Sequence, residues 1–345
     1  MSDDARLAVR RALRDALADL QADDLVLVAC SGGADSLALA LAAGDEVRSS
    51  GRRIGAIVVD HALQQRSAEV AAAAAAACRL AGLAPVDVVR VQVPTGPGHG
   101  GPEAAAREAR RSALVAVASH LGAAAVLLAH TRDDQAETVL LRLARGSGAR
   151  TLAAMAPVDG LWRRPLLDLP RSVVRASLAG APPWEDPHNA DPRYARVRVR
   201  STALPALVQA LGNDVVDGLA RSARLLRDDA DALDAAADAA WAAVVLDATD
   251  GIALDVEGLA ELPRAVRTRI LRRAAVESGV APADLTLAHV DRVEALVSAW
   301  AGQGMVDLPG GIGARRTCGR LELGRVPSVA ERRARSPHGA PAPEE

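Results

Sequence analysis

The sequence predicts an α/β fold, in which a doubly wound, mainly parallel sheet is followed by a smaller, mostly helical domain. Short runs rich in Val, Ile and Leu recur over the first 130 residues, and stretches of helical length separate them. Strands that alternate with helices are typical of a parallel sheet with helices on both faces. From residue 213 the pattern changes to long Ala, Leu, Asp and Arg stretches with helical spacing, which predict the second domain.

Four apolar runs are the predicted strands of the sheet. They cover residues 25–30, 54–60, 86–93 and 125–129. Parallel strands are joined by right-handed crossovers, and ligands of such sheets bind beyond the carboxyl ends of the strands. The segments after the strands are therefore the functional candidates, namely residues 31–36, 60–61, 94–102 and 130–134.

The predicted domain boundary lies at residue 207. Residues 1–207 hold the sheet, and residues 208–326 form the mostly helical domain. Near its end, Pro309-Gly310-Gly311 predicts a turn between short strands, and we expect a short terminal hairpin. Residues 327–345 are rich in Pro, Arg, Ala and Glu without apolar periodicity, so we expect a disordered tail.

The composition excludes several classes of protein. A net charge of −2 excludes a nucleic-acid binder that relies on overall charge, so any such surface must be local. The chain has no lysine, which excludes a Walker A loop and a lysine nucleophile of the protein. Cys30, Cys78 and Cys318 form no Cys-x-x-Cys pair, which argues against a metal cluster or a disulfide framework. Without a leader pattern or a run of about 20 apolar residues, we expect a cytoplasmic protein that does not contact membranes.

The segment after the first run has the composition of a phosphate-binding loop. It consists of Ser31, Gly32, Gly33, Ala34, Asp35 and Ser36, followed by a helical Leu/Ala stretch. Glycines let the backbone approach an anion closely, serines offer hydroxyl groups, and a helix N-terminus adds N–H groups and the positive end of its dipole. A plain strand-to-helix turn, which is the alternative, would not require both serines and the aspartate.

A group of acidic residues follows the fourth run. His130, Asp133, Asp134 and Glu137 have a spacing that places most of them on one face at the start of the next helix. Clustered carboxylates repel one another, so the pattern predicts Mg²⁺, a bound amine, or both. In the alternative, Asp133 caps the helix and the other carboxylates are solvated.

Two arginine patterns are candidates for substrate contacts. Arg107 lies one helical turn after Glu103, and the alternative for it is a surface ion pair. Four more arginines occur within eight residues, close to Tyr194 and Trp184; they are Arg193, Arg196, Arg198 and Arg200. Guanidinium groups fit phosphates and aromatic faces stack on unpaired bases, whereas a solvated charged face is the alternative.

The loop Ser-Gly-Gly-x-Asp-Ser resembles that of the PP-loop ATP pyrophosphatases, which split ATP between its α and β phosphates. The stretch His-Thr-Arg-Asp-Asp-Gln-Ala-Glu-Thr at 130–138 is similar to the second signature of one PP-loop family, the tRNA(Ile)-lysidine synthetases. Further agreements are residues 59–61, 103–107, 141–142, 145–148, 164–167, 184–187 and 189. Together they span residues 25 to about 207.

The resemblance implies a PP-loop fold and a reaction. ATP activates C2 of the wobble cytidine in the CAU anticodon of tRNA(Ile), and the ε-amine of free L-lysine displaces AMP, which switches codon reading from AUG to AUA. It implies that Asp35 and Asp134 hold Mg²⁺, that the loop together with Asp60 and His61 binds ATP, and that the helical domain recognises tRNA.

The resemblance also assigns substrate roles. Arg107 is expected on the cytidine, and Asp133, Asp134 and Glu137 on the amine. The chemistry of the residues adds that Asp134 and Glu137 are the candidates to accept its proton and that Arg196 and Arg200 would contact the RNA. His130 either helps or is a structural hydrogen-bonding residue. Val197 stands where the family usually has asparagine, so any role of that asparagine is lost.

Two other functions remain open at this stage. A PP-loop tRNA thiolase would share the loop and the RNA, but such enzymes generally need paired cysteines. A non-catalytic ATP sensor would keep the glycines and could dispense with the carboxylates. A homodimer is also left open.

Overall fold

The computed structural model describes residues 2–60, 62, 66–92, 102–146, 148–178, 180, 183–185, 190–248 and 251–326. The chain divides into two compact units, Met1–Arg227 and Asp228–Glu345. His61, most of the segment 94–102, Asn189 and the predicted tail 327–345 lie outside the described residues. Within the described parts, no helix combines the length and the apolar character needed to cross a bilayer.

The first unit alternates strands and helices. Its strands are β1 (Val26–Ala29), β2 (Ile54–Asp60), β3 (Val86–Arg90), β4 (Ala125–Leu127), β5 (Val158–Asp159) and β6 (Trp162–Arg163). Its helices are α1 (Ser2–Ala16), α2 (Ala34–Ser50), α3 (Ser67–Leu80), α4 (Pro102–Leu121), α5 (Arg132–Leu143), α6 (Ala149–Leu152), α7 (Arg171–Ala176), α8 (Ala195–Arg198) and α9 (Leu204–Leu211). A π-helical turn, Val199–Ala203, joins α8 to α9, and α10 (Val215–Val244) follows.

The sheet of this unit has the order β3-β2-β1-β4-β6-β5. All its pairs are parallel except β5 with β6, which confirms the predicted doubly wound, mainly parallel fold. The strand order reverses direction between β1 and β4. In such sheets the crevice at the carboxyl ends of these two strands is where ligands bind, and both candidate segments begin there.

Alternation along β1 explains why helices cover both faces of the sheet. Val26 and Val28 belong to one buried cluster, which includes residues of α1, α2, α3 and α7. Leu25 and Leu27 belong to another, with Leu114 and other residues of α4. Since successive side chains of a strand point to opposite faces, a continuous apolar run is needed wherever both faces are buried.

The boundary between the units differs from the expected position. It falls at residue 227, inside α10, whereas the predicted boundary is residue 207. Side-chain contacts explain the difference: Arg196 of α8 bonds to Glu137 of α5, and Arg132 of α5 bonds to Asp217 at the start of α10.

The second unit contains more β-structure than the sequence suggested. Its helices α11 (Val256–Glu261), α12 (Arg264–Glu277) and α13 (Leu287–Ser298) accompany strands β7 (Val245–Leu246), β8 (Ile252–Asp255), β9 (Val306–Leu308), β10 (Ile312–Thr317) and β11 (Arg320–Arg325). The strands form an antiparallel sheet of order β7-β8-β11-β10-β9. The expected hairpin is β10 with β11, and Pro309–Gly311 turns between β9 and β10.

Gly44 gives a test of the packing beside the sheet. A Cβ on Gly44 of α2 would overlap the carbonyl oxygen of Ala81 and lie 2.9 Å from its carbonyl carbon. We expect Gly44→Ala to lower the free energy of unfolding by about 1 to 3 kcal/mol, because backbone cannot rotate away as a side chain can. Gly218→Ala in α10 is the control, since nothing lies within 4 Å of its added Cβ. This control should be neutral or stabilising by up to about 1 kcal/mol in urea unfolding.

Candidate active site

The predicted phosphate loop connects β1 to α2 at the crevice. Gly32 has φ +80°, and a Cβ there would be strained and would lie 3.3 Å from Cβ of Ala74. Ser36 braces the loop: its hydroxyl accepts a bond from the N–H of Ser31 at 3.1 Å and donates to the carbonyl of Gly33 at 3.0 Å. Ser31 stays exposed, and the first N–H groups of α2 have no partner within the helix. The loop is therefore built to receive an anion.

Asp35 in the first turn of α2 has an oxygen without a partner. Its Oδ1 is buried and makes no hydrogen bond, while its Oδ2 lies 3.7 Å from Nε of Arg171. Burial raises the pKa of Asp35 and the charge of Asp134 adds to this, although Arg171 opposes both. An orphaned carboxylate oxygen beside an anion loop fits a cation, because such an oxygen is costly to bury unpaired.

A capping box begins α5 after β4. Thr131 is the N-cap residue, and its side chain accepts from the N–H of Asp134. In return, Oδ2 of Asp134 accepts from the backbone N–H and the hydroxyl of Thr131, both at 2.8 Å. This reciprocal bonding fixes the orientation of Asp134, so that its Oδ1 faces the side away from Thr131.

Three arginines surround the carboxylates of α5, and we call Arg171, Arg196 and Arg200 the arginine cage. Glu137 is 0% exposed. Its Oε1 accepts from both Nη atoms of Arg171 at 3.1 Å and from Nε of Arg200 at 2.7 Å. Its Oε2 accepts from Nε of Arg196 at 2.7 Å and Nη2 of Arg200 at 3.1 Å. Oδ1 of Asp134 accepts from Nη2 of Arg171 and Nη2 of Arg196, each at 2.9 Å.

The cage is assembled from two separate segments of the chain. Arg196 and Arg200 lie four residues apart on α8 and the following π-helical turn, a spacing that places both on one helix face. Arg171 begins α7, and its N–H donates to Oδ2 of Asp133 at 2.7 Å. Asp133 therefore holds the start of α7, and with it Arg171, in place. This differs from the alternative in which Asp133 only caps α5.

The cage determines the charge state of the acids. Burial works to raise the pKa of Asp134, but Arg171, Arg196 and the N–H of Thr131 outweigh it and lower the pKa to about 2. For Glu137 burial is likewise outweighed, chiefly by the bond from Arg200 and the charge of Arg196, and its pKa is lowered. Both groups are carboxylates at neutral pH, and their repulsion is compensated by protein cations.

His130 lies between β4 and Thr131, close to the cage. Its Nδ1 is buried and makes no hydrogen bond. Burial lowers the pKa of His130 to about 3, and Arg196 and Arg107 lower it as well, against the opposing charge of Asp134. The ring is therefore neutral at pH 7, with one nitrogen able to accept a proton or a hydrogen bond.

The other predicted residues are placed differently. Asp60 is buried at the end of β2, where its Oδ1 accepts from the N–H of Ala62 at 3.0 Å. Arg107 is exposed on α4. Arg193 pairs with Asp191 at 2.6 Å, and Arg198 donates to the carbonyls of Pro192 and Arg193. The four-arginine pattern therefore separates into two cage members and two that stay with their own loop.

Asp35 and Asp134 differ as ligands for Mg²⁺. Asp35 offers its unpartnered Oδ1, whereas each oxygen of Asp134 already accepts two hydrogen bonds, which fills the lone-pair positions of a carboxylate. No group of three His, Cys, Asp or Glu residues within the described segments is arranged to hold a metal. A single carboxylate suits Mg²⁺ when substrate phosphates supply further oxygens.

Arg171 is the principal residue that the sequence analysis missed. It contacts Asp134 and Glu137 and lies near Asp35, so it links the phosphate loop to α5. Arg171 is 34 residues from Glu137 and 37 residues from Asp134 in the sequence, so no periodic pattern connects it with them. The sequence offers only an indirect signal for such a residue. Clustered carboxylates require cations, and a chain without lysine supplies them as arginine.

Comparisons with known proteins identify the family. A PP-loop domain matches residues 6–207, and a TilS substrate binding domain matches residues 254–322. A tRNA(Ile)-lysidine synthase of Thermobifida fusca is 56% identical over 315 residues, which cover 91% of this chain and 95% of that protein. The chain belongs to the tRNA(Ile)-lysidine synthase family. Another relative with this name, from Salinispora tropica, is 55% identical over 320 residues and covers 91% of this chain and 95% of its own.

Membership of the tRNA(Ile)-lysidine synthase family confirms the predicted resemblance. The match to the PP-loop domain also supports the use of ATP. Among solved structures, a U34-tRNA thiolase, NcsA from Methanococcus maripaludis with its 4Fe-4S cluster, has a TM-score of 0.54. It is 19% identical, and the match covers 65% of this chain and 80% of that chain. At this identity the likeness shows the fold alone.

The neutral state of His130 predicts a pH dependence of stability. Because the pKa is about 3 in the folded protein and about 6.5 in the unfolded chain, the unfolded state alone binds a proton between these values. The contribution of His130 to the free energy of unfolding therefore decreases as the pH falls below 6.5, by at most about 1.4 kcal/mol per pH unit. Urea unfolding from pH 7.5 to pH 5 should show a shallower loss in His130→Gln than in the wild type. His120→Gln, which replaces an exposed histidine, should keep the wild-type slope; equal slopes in all three proteins would contradict the expectation.

Proposed function

We propose that this protein uses ATP to attach L-lysine to C2 of the wobble cytidine of the CAU anticodon of tRNA(Ile), which changes codon reading from AUG to AUA. The products are lysidine, AMP and diphosphate. The observation that carries the proposal is the arrangement at the crevice. An anion loop and the α5 carboxylates lie at adjacent strand ends and are linked by Arg171, in a chain of the tRNA(Ile)-lysidine synthase family.

The loop residues 31–36 receive the β and γ phosphates of ATP. Negative charge develops on diphosphate as the cytidine oxygen attacks the α phosphorus. The N–H groups at the start of α2 and the exposed hydroxyl of Ser31 are preorganised donors for that charge. Asp60, buried at the end of β2, belongs to the same nucleotide site in this proposal, and His61 is the further residue assigned to ATP.

Mg²⁺ would be held at Oδ1 of Asp35, and it would neutralise charge on the diphosphate leaving group. Support comes from the buried, unpartnered oxygen at this position. Asp134 joins as a second ligand only when the cage arginines release it, because its lone-pair positions are taken by Thr131, Arg171 and Arg196.

The lysine amine exchanges with cage arginines at Asp134 and Glu137. A free ammonium group cannot reach Glu137 in the closed cage, because that side chain has no exposed surface. Arg196 and Arg200 are the mobile partners in this proposal, since they are 27% and 35% exposed whereas Arg171 is 14% exposed. Exchange of one cation for another leaves the buried carboxylates compensated, which avoids the penalty of an unpaired buried charge.

The same exchange prepares the proton acceptor. A lysine ammonium group has a pKa of about 10.4 and must lose a proton before it can attack. In the closed cage Asp134, with a pKa of about 2, is a weak base. Withdrawal of guanidinium groups removes the charges that lower its pKa, so Asp134 and Glu137 become better acceptors as the amine arrives. Neutral His130 is a further acceptor beside them.

The RNA side of the reaction involves both units. Arg107 contacts the activated cytidine, and Arg196 and Arg200 can bind phosphate once they leave the carboxylates. The match of residues 254–322 to a substrate binding domain supports a tRNA contact in the second unit. A cytoplasmic location fits these partners, and this location, the binding of L-lysine and a homodimer remain predictions.

The thiolase alternative is not favoured by the positions of the cysteines. Cys30 and Cys78 lie against each other at the end of β1, but they are 2% and 0% exposed, and Cys318 is exposed in the second unit. Within the described residues, no exposed pair of cysteines is therefore available at the crevice to carry sulfur. A sensor without catalysis is not favoured either, because the relatives that match this chain over most of its length are tRNA(Ile)-lysidine synthases.

Lysine transfer is the direct test. Purified protein with Mg-ATP should transfer labelled L-lysine to tRNA(Ile) with a CAU anticodon and leave initiator tRNA(Met) unlabelled. Asp35→Ala should remain folded and lose at least about 100-fold of this turnover, because a metal-assisted charge stabilisation is removed. If the wild type binds ATP and tRNA and transfers no label, the proposal is wrong, and thiolation and ATP sensing are the alternative functions.

Glu137→Gln separates the two chemical steps. If Glu137 receives the amine, the variant should still form AMP-linked tRNA from ATP in the absence of lysine, but its KM for lysine should rise at least about tenfold, since a charged hydrogen bond to the amine is lost. Glu69→Gln is the control, because Glu69 lies on the exposed face of α3, and this variant should behave as wild type. Loss of adenylation in a Glu137→Gln protein that unfolds at the wild-type temperature would show that Glu137 serves to hold the cage for ATP and does not receive the amine.

A further inference from the structure

Two cysteines meet beside the phosphate loop. Cys30 connects β1 to Ser31, and Cys78 lies in the last turn of α3. The two thiols share a hydrogen bond, and both side chains are buried. The third cysteine of the chain, Cys318, is exposed in the second unit. Cys30 and Cys78, which we call the thiol pair, are therefore placed where a bond between them would act on the loop.

The packing of α3 against the loop brings the thiol pair together. A Cβ on Gly32 would lie 3.3 Å from Cβ of Ala74, so the loop rests directly on α3. Ala74 and Cys78 are four residues apart, a spacing that puts both on one helix face. The N–H of Cys30 donates to the carbonyl of Ile57 at 2.9 Å, which ties the backbone of Cys30 to β2. One sulfur is therefore held by the sheet and the other by a helix.

The sulfur of Cys30 also touches the brace of the loop. Its Sγ lies 3.9 Å from Oγ of Ser36, the hydroxyl that bonds to the N–H of Ser31 and to the carbonyl of Gly33. The donors proposed for the ATP phosphates lie on this same braced segment. A change at the Cys30 sulfur is therefore transmitted to the phosphate site through one contact.

The two thiols differ in how readily they lose a proton. The bond with Cys78 lowers the pKa of Cys30, and the N–H of Gly32 adds to this, although burial opposes both. The same bond and burial raise the pKa of Cys78. A thiolate is the form that reacts with oxidants, and oxidant-sensitive cysteines often lie next to a second thiol that completes the reaction. Cys30 has the character of the reactive thiol and Cys78 that of its partner.

We propose that the thiol pair is a redox modification site, which a peroxide converts into a disulfide that lowers the affinity of the loop for ATP. The Cys30 thiolate attacks one peroxide oxygen, the O–O bond breaks, and hydroxide leaves, which gives a sulfenic acid. The Cys78 sulfur then attacks the Cys30 sulfur, and its thiol proton leaves with the displaced hydroxide as water. The first hydroxide takes up the proton that Cys30 had released. Two electrons pass from the sulfurs to the peroxide, and two water molecules form.

The effect on ATP follows from the packing around the pair. A disulfide draws the two sulfurs from van der Waals contact to a covalent distance. The end of β1 is bonded to β2, and Gly32 already lies against α3 with φ +80°, so the movement is taken up by the loop. Hydrogen bonds to phosphate oxygens need donors at closely defined distances. A displaced loop therefore loses some of its bonds to ATP.

Access to the buried pair comes from the loop itself. Ser31, the neighbour of Cys30, is exposed, so local opening of the empty loop admits a small neutral peroxide. Bound phosphates hold the loop in place, so ATP should protect the pair. The inference goes beyond lysine transfer and requires only that the loop binds ATP.

ATP binding before and after oxidation tests the proposal. We would use the full chain with Cys318→Ser, which prevents crosslinks between copies, and treat it with hydrogen peroxide. The intact mass should fall by two hydrogen atoms, and a peptide linking Cys30 to Cys78 should appear. The Kd for Mg-ATP should rise at least about tenfold, as expected when one charged hydrogen bond to a phosphate is lost. Dithiothreitol should restore the original Kd, and Mg-ATP present during the treatment should slow formation of the disulfide.

Cys78→Ala in the same background is the matched control. Before treatment it should bind ATP like its parent, and after the same exposure to peroxide it should keep that affinity, because Cys30 can no longer be tied to α3. A disulfide that leaves Kd unchanged, an equal loss of affinity in Cys78→Ala, or thiols that stay reduced in the parent would each overturn the proposal. If Cys78→Ala does not fold, the mass and the Kd of its parent decide. Lysine transfer enters none of these measurements, so failure of the proposed function leaves their outcome unaffected.

Discussion

The burial of Glu137 is the constraint on which the site depends. A carboxylate without exposed surface requires compensation by cations and hydrogen bonds, because desolvation of an unpaired charge costs several kcal/mol. Arg171, Arg196 and Arg200 supply five hydrogen bonds to this one side chain. These bonds attach α7 and α8 to α5, and through Asp35 they connect α5 to the phosphate loop. Ion pairing of one residue therefore holds together segments that are far apart in the sequence.

The sequence predicted the parts of this site whose signals are local. The loop 31–36 and the acids of α5 are recognised from glycines, periodicity and the strand before them, and four strands follow from apolar runs. The two-residue strands β5 and β6 carry no such run. The cage joins residues 34 to 63 positions apart, and spacing cannot report such contacts. Arg196 and Arg200 are predicted to contact RNA, whereas in the structure they lie on Glu137 and Asp134.

The absence of lysine from the chain has a chemical consequence for the proposed reaction. An adenylated cytidine is an electrophile, and any neutral amine held near it would attack. Guanidinium groups do not lose their proton in proteins, so Arg171, Arg196 and Arg200 can surround the carboxylates without becoming nucleophiles. An ammonium group can be deprotonated once a carboxylate accepts its proton. In the proposed reaction the cage would therefore distinguish the protein's own cations from the substrate amine by acidity, so that only the exchanged lysine could react.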